Sequence, residues 1–247
     1  HLEKSLGTLG GGNHFIEIEQ SKSGDYYLVI HSGSRNLGKQ VAEIYQRRAI
    51  NLHRGWDEYI LRRQEIIKEY KELGKSKEIN HALEELKEGY GILDIPEDLC
   101  WLYGEALTDY LHDIEICQKY AMRNRELIAS MIMGKASLTE IDSFHTIHNY
   151  IDINEMILRK GAIRAVKGEK VLIPMNMKDG SILGIGKGNR EWNYSAPHGA
   201  GRILSRKQSK EMLDIKEYKK SMEGIYTTYI SLDTLDEAPQ AYKSVED

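Results

Sequence analysis

Between residues 14 and 19 the chain alternates two sets of positions with a period of two, the pattern of a half-buried strand. Phe15, Glu17 and Glu19 fall on one side of the first run, and His14, Ile16 and Ile18 on the other. Ser23-Gly24-Asp25 marks a turn, and Tyr26–Ile30 is a short apolar run ending at His31. The prediction is two strands with a histidine at the open end of each, 17 residues apart and free to lie side by side. From about 37 to 135 the period lengthens. Val41, Ile44 and Tyr45, then Ile60, Ile66, Ile67, Tyr70 and Leu73, recur at helical spacing among charged residues. Gly74-Lys75-Ser76-Lys77 separates two helices, the loop 89–96 ends with a proline at a helix start, and a long helix containing Cys100 and Cys117 is expected from Asp98 to about Met133.

Strand periodicity returns at Ser143–Tyr150. Gly161–Val166 and Lys170–Pro174 read as a hairpin around Lys167-Gly168-Glu169, Ile182–Gly186 as a strand, 206 to about 222 as one charged helix, and Ile225–Ile230 as a last strand. The expected class is α+β: one domain over 1–247, a sheet core with a helical insertion at roughly 37–135 packed beside it.

Composition changes this picture little. Hydrophobic residues are 40% and charged residues 29% of 247, which suits a folded core and excludes a disordered chain. No apolar run reaches the roughly 18 residues of a membrane span, and no signal peptide is visible. The two cysteines form no metal or disulfide pattern, so a reduced, cytoplasmic protein is expected. The chain opens on His1 rather than Met, which points to a processed, edited or partial chain. A net charge of −4 and a pI near 6.2 exclude a globally basic nucleic-acid binder. Positive charge is nonetheless concentrated late, at Arg159, Lys160, Arg164, Lys167, Lys187, Arg190, Arg202, Arg206 and Lys207, as a local polyanion groove would require.

Candidate chemistry gathers in loops where histidine meets glycine, asparagine or arginine. In Pro197-His198-Gly199-Ala200-Gly201-Arg202 the glycines let backbone N–H groups approach an anion, the arginine offers a planar fork to phosphate oxygens, and the imidazole suits a nucleophile, a general acid or a metal ligand. His31-Ser32-Gly33-Ser34-Arg35 repeats the theme with small donors and a charge, while Asn13 and His14 stand at a strand mouth, where an Asx turn is the simpler use of the asparagine. His145 and His148 alternate on the predicted strand, so only one of them can share a ligand site with its neighbours, and His148-Asn149 is nearer the strand end. His53, His81 and His112 read as solvated or capping groups.

Taken in order, GTLGGGNHFIEIE, HSGSRNLG, YAMRNRE, the pair His148-Asn149, RKGAIRA, SAPHGAGRILSR and DEAPQAYK resemble the motifs of the RtcB family of RNA-splicing and RNA-repair ligases, across residues 7 to 243. The resemblance implies a sheet core of the RtcB type. It also implies an enzyme that uses GTP and Mn2+, in a two-ion site, to join RNA ends bearing a 2′,3′-cyclic phosphate or 3′-phosphate to ends bearing a 5′-hydroxyl. By motif match His198 is the guanylylated nucleophile, and His14, His31 and His148 are the metal ligands. Asn13, Glu17, His148, Asn149, Pro174, Met175, Asn176, Met177, Ser181, His198, Gly199, Ala200 and Gly201 match the family's nucleotide-contacting positions. Residues 174–177 read PMNM where many members have PGSM. The family's DxxC-type motif would precede residue 7 and its final lysine would follow the AYK run; neither is present, and Glu97-Asp98-Leu99-Cys100 has the wrong order and spacing to substitute. The expectation is a chain incomplete at both ends, weak or inactive alone, acting on RNA without a membrane and with room for an activating protein partner. Two other functions stay open: a non-catalytic metal- or RNA-binding remnant, and a metal-dependent phosphoesterase.

Overall fold

In the computed structural model, which describes residues 2–244, contacts divide the chain into two compact units. One comprises the residues up to 10 together with 32–127, the other 11–31 and 128 onward.

The first unit is helical. After a short turn α1 (Leu2–Ser5) come α2 (Leu37–His53), α3 (Trp56–Glu72), α4 (Ile79–Glu88) and α5 (Gly104–Ala136), the last continuing past residue 127 into the second unit. Gly55, at φ 71, turns α2 into α3, a left-handed conformation that costs glycine little. The long helix starts later than its sequence predicts: Glu97–Leu99 is a 3-10 turn and Cys100 is extended at φ −64, ψ 138, so α5 begins only at Gly104. The Leu99 and Cys100 amides close this single turn on the Pro96 and Glu97 carbonyls at 2.9 and 3.2 Å, and the extended Cys100 ends it.

Asn124, on α5 and fully buried, closes the unit. Its side-chain carbonyl accepts from the Gly7 and Thr8 amides at 2.8 and 3.2 Å, and its amide donates to the Thr8 carbonyl at 3.1 Å and the Ser32 hydroxyl at 3.0 Å. Arg125 donates to the Ser32 carbonyl at 3.2 Å. The YAMRNRE motif therefore holds the glycine-rich loop and the start of the HSGSR loop together. Arg35 belongs to the same arrangement: its Nε donates to the Thr8 hydroxyl at 3.1 Å and its guanidinium covers Gly10 so closely that a Cβ there would lie 1.6 Å from Nη1.

The second unit carries three small antiparallel sheets. β1 (Phe15–Gln20) pairs with β2 (Tyr26–His31), Phe15 opposite His31. β3 (His148–Asp152), β4 (Ile157–Arg164) and β7 (Ser195–Pro197) form the second sheet with β4 in the middle, and β5 (Lys170–Asn176) pairs with β6 (Gly180–Ile185). The hairpin predicted between 161–166 and 170–174 is not formed. Both edges of β4 are occupied, by β3 and β7, and Ala165 donates to the Tyr194 carbonyl at 2.7 Å, so β5 turns away to its own partner. The two sheets meet through Ile163, Ala165 and Val171.

α6 (Arg206–Met212) and α7 (Ile215–Ser221) replace the single predicted helix. Leu213 is extended, and Asp214 caps α7 by accepting from the Lys216 and Glu217 amides. Tyr218 and Met222 pack with Leu235 and Ala238 in a second buried cluster. Two predicted strands are absent or shorter: 143–147 is irregular and only β3 follows it, and 225–230 forms no strand, its Tyr226 being 94% exposed while Ile230 packs against the Tyr218 cluster. The α+β class holds. Among the described residues no helix is long and apolar enough to cross a membrane.

Candidate active site

Four histidines of the second unit stand in a row. β1 and β2 bring the first two together, because pairing Phe15 with His31 leaves His14 just beyond the strand and diagonal to His31; their ring centroids are 5.7 Å apart. His148 opens β3 and places its Nε2 3.3 Å from the Nε2 of His31, ring centroids 5.2 Å apart and nearly perpendicular. His198 follows β7 and meets His148 edge to face at 4.9 Å.

His198 is oriented by backbone. Its Nδ1 lies 2.8 Å from the Gly161 carbonyl, and a carbonyl can only accept, so Nδ1 carries the hydrogen and the neutral ring presents an unprotonated Nε2. Gly161 is held in turn: its N–H donates to the Asn149 side-chain carbonyl at 2.6 Å. Gly161 has φ 67 and packs against the His198 ring, with no side chain to displace it. Asn149, itself left-handed at φ 54, thus acts on His198 through one peptide unit.

The other residues expected to contact nucleotide lie in the HGAGR loop, on and beside β5 and β6, and before or on β1. The Ala200 amide donates to the Pro174 carbonyl at 3.0 Å, and a Cβ on Gly199 would come 3.1 Å from the same oxygen, so the 174–177 loop and the HGAGR loop are tightly apposed. Met175 sits at a break in the β5–β6 register. Asn176 closes a tight turn by accepting from the Lys178 and Asp179 amides, and Met177 packs against the Tyr218 cluster. Gly201 is spanned by Lys243, whose amide donates to its carbonyl at 2.8 Å. Asn13 is exposed before β1. Ser181 is engaged with Glu19, donating from its hydroxyl at 2.7 Å and its amide at 3.0 Å.

Glu17 and Glu19 share the inward face of β1 with Phe15, while Ile16 and Ile18 are exposed at 39% and 65%. Burial first, then a hydrogen bond to Glu19 and the charge of that neighbour, push the Glu17 carboxyl from its ordinary 4.5 up to about 8. The folded state therefore favours protonated Glu17. Its contribution to stability is complete below about pH 4.5 and is lost as pH rises through about 8. Melting temperature is expected to fall between about pH 5 and 8, and Glu17→Gln, which keeps a donor toward Glu19 without a charge, is expected to flatten that slope; an equally steep slope in the variant would assign it to other groups.

Two sequence readings need correction. Arg202 is not a free phosphate fork. It donates from Nε to the Leu204 carbonyl at 3.1 Å, from Nη1 to the Tyr242 hydroxyl at 2.9 Å, and from Nη2 to the Ser209 hydroxyl at 3.2 Å and the Asp236 carbonyl at 2.6 Å. The DEAPQAYK segment is the lock that receives it. The late run of basic residues is also smaller than it looks. Arg159, Arg164, Arg202 and Arg206 are spent on internal partners, which leaves Lys160, Lys167, Lys187, Arg190 and Lys207 exposed, the last beside Glu211.

Fitness for a metal rests on the imidazoles. The 3.3 Å between the Nε2 atoms of His31 and His148 is a separation that two ligands of one ion adopt, and imidazole suits a first-row divalent metal alongside oxygen ligands. Among the described residues no group of three or more histidine, cysteine, aspartate or glutamate side chains is arranged to hold an ion, so His14 stands beside the pair rather than closing a set with it.

The family model described as tRNA-splicing ligase RtcB matches residues 1–247. Curated relatives include the RNA-splicing ligase RtcB of Escherichia coli K12, 26% identical over 98% of this chain and 56% of that protein. The tRNA-splicing ligases RtcB of Aeropyrum pernix and Thermococcus kodakarensis are 26% and 27% identical, each over 98% of this chain and 54% of its own length. The chain spans about half the length of the curated relatives it matches.

Proposed function

The chain belongs to the tRNA-splicing ligase RtcB family, and on that premise we propose that it carries the guanylyl-transfer centre of an RNA ligase joining 2′,3′-cyclic phosphate or 3′-phosphate ends to 5′-hydroxyl ends. The observation that carries the proposal is the bond from His198 Nδ1 to the Gly161 carbonyl, which leaves Nε2 as the nucleophile.

In the first step Nε2 attacks the α-phosphorus of GTP. A P–N bond forms, the bond to the bridging oxygen breaks, and pyrophosphate leaves. An oxygen of the RNA 3′-phosphate then takes GMP from His198 and frees the ring. Attack of the 5′-hydroxyl on that 3′-phosphorus expels GMP and closes the phosphodiester, while a cyclic end is opened by water beforehand. Gly161 holds the ring through these steps, and the amides of Gly199 and Gly201, in a loop that the Ala200 amide fastens to Pro174 and that Lys243 fastens at Gly201, would serve phosphate oxygens. His31 and His148, with His14 beside them, are the residues that would hold Mn2+. When bound, the metal offsets charge on the phosphoryl oxygens. Exposed Lys160, Lys167, Lys187 and Arg190 are available to the RNA backbone.

The test uses the longest reading frame containing this chain, incubated with α-labelled GTP and Mn2+, then with RNA carrying a 3′-phosphate and a 5′-hydroxyl. Acid-labile labelling followed by a joined product is expected. Opening of a cyclic phosphate without GTP, and without labelling, would instead make the protein a phosphoesterase. RNA retention with neither activity would make it a binding remnant.

A further inference from the structure

We propose that Arg159 is a positioning residue for His198, one that fixes both points from which the ring hangs. The inference deepens the reading of His198 as the guanylylated nucleophile and rests on it for its purpose.

Arg159 lies on β4 and is only 2% exposed. Its five N–H groups have five acceptors. Nε donates to the Ser195 hydroxyl at 3.0 Å. Nη1 donates to the Tyr150 hydroxyl and the Asp152 carboxylate, each at 3.2 Å. Nη2 donates to the Asn193 carbonyl at 3.0 Å and the Glu155 carboxylate at 3.5 Å. Two of the five, Asn193 and Ser195, belong to the segment that delivers His198.

That segment is strained. Asn193 and Tyr194 are consecutive non-glycine residues in the left-handed region, at φ 48 and 52, a conformation that persists only where the surroundings hold it. The Asn193 carbonyl is held twice, by Arg159 and by the Ser195 hydroxyl at 3.0 Å, and the Tyr194 carbonyl receives the Ala165 amide. The turn sets the course of Ser195–Pro197 along β4, where Pro197 pairs with Ala162, and His198 comes next. The second anchor, the Gly161 carbonyl, is two residues beyond Arg159 on the same strand. Loosening Arg159 therefore frees the approach to His198 while unsettling the strand that bears its acceptor.

Arg164 supplies the contrast. It shares Asp152 and Glu155 with Arg159 and adds Glu169, but its guanidinium bonds to these carboxylates rather than to the 193–195 turn. A purely charge-balancing role would belong to both arginines. Positioning belongs to Arg159 alone of the two.

The experiment reads the His198 ring tautomer by long-range nitrogen–proton NMR in the 247-residue chain, at one fixed pH and without nucleotide or metal. The unaltered chain is expected to show a proton on Nδ1. Arg159→Lys keeps the charge but offers at most three donors without the planar fork, and is expected to reduce the ratio of the Nδ1–H to the Nε2–H form about fivefold, the worth of one hydrogen bond. Arg164→Lys is expected to leave the ratio unchanged. Ser195→Ala, too small a change to unfold the chain, removes one acceptor and is expected to shift the ratio about twofold in the same direction. An unmoved ratio in Arg159→Lys and Ser195→Ala, or an equal shift in Arg164→Lys, overturns the proposal. The spectrum reports the ring whether or not GTP is taken up, so failure of guanylylation would leave a positive result standing, and an unmoved ratio would leave the chemistry of His198 untouched.

Discussion

His198→Asn is expected to reduce guanylylation to background, a fall of roughly a thousandfold or more, while leaving the melting temperature nearly unchanged. The separation of the two effects follows from what each ring nitrogen does. Nδ1 has a structural task, donation to the Gly161 carbonyl at 2.8 Å, and the asparagine amide nitrogen takes nearly the same place. Nε2 has the chemical task, and asparagine offers no nucleophile there. The stability change should stay within about 1 kcal/mol, the net worth of one hydrogen bond. Acid-labile labelling with GTP and a thermal melt on the same preparation check both halves. Labelling that survives in the variant would move the nucleophile to another residue, and a collapsed melt would show that the imidazole body matters to the fold.

Arg202→Met should have the opposite profile. The guanidinium makes four hydrogen bonds and lies 4.7 Å from the centroid of the Tyr242 ring, with Glu237 beside it. Tyr242 donates to that same Glu237, and its hydroxyl is held well above the usual phenol range, by burial first and then by the carboxylate. Methionine fills much of the volume but leaves the carbonyls of Leu204 and Asp236 without their donor, while Glu237 keeps Arg206 at 2.6 Å. Arg202 keeps some solvent contact, so a loss of about 3 kcal/mol is expected rather than the larger cost of a fully buried ion pair. That corresponds to a fall of about 6–12 °C in melting temperature. A variant that melts as the parent does but no longer binds nucleotide or RNA would restore the phosphate-fork reading of Arg202.

The reading of that arginine shows where sequence is informative and where it is not. His14 and His31 were legible because alternation places them: Phe15 and His31 pair across β1 and β2, which brings the two histidines near each other, whereas His148 opens β3 rather than closing a strand over 143–150. The helices of 37–136 were legible from their period. What failed was pairing. Gly161–Val166 and Lys170–Pro174 look like a hairpin locally, but β4 lies between β3 and β7, and nothing near β4 announces β7, some 30 residues on. Polar residues misled in the same way. A glutamate on a strand reads as outward, yet Glu17 and Glu19 turn inward to each other and to Ser181, leaving Ile16 and Ile18 exposed. Arginines cannot be sorted into ligand-binding and structural classes without their partners, and Arg159, Arg202 and Arg206 found theirs at Tyr150 to Asp152, at Tyr242 and at Asp236.

The lock on Arg202 also orders events in time. Its receiving groups, Asp236, Glu237 and Tyr242, and the Lys243 amide that closes on Gly201, leave the ribosome some 80 residues after the β4 strand that orients His198. A nascent chain can therefore assemble the strand that carries the Gly161 acceptor before the HGAGR loop is fastened at its far end. During that interval the loop is anchored on the His198 side and open on the Arg202 side, and a chain stalled before residue 236 would present the histidine without the framework that holds its glycines.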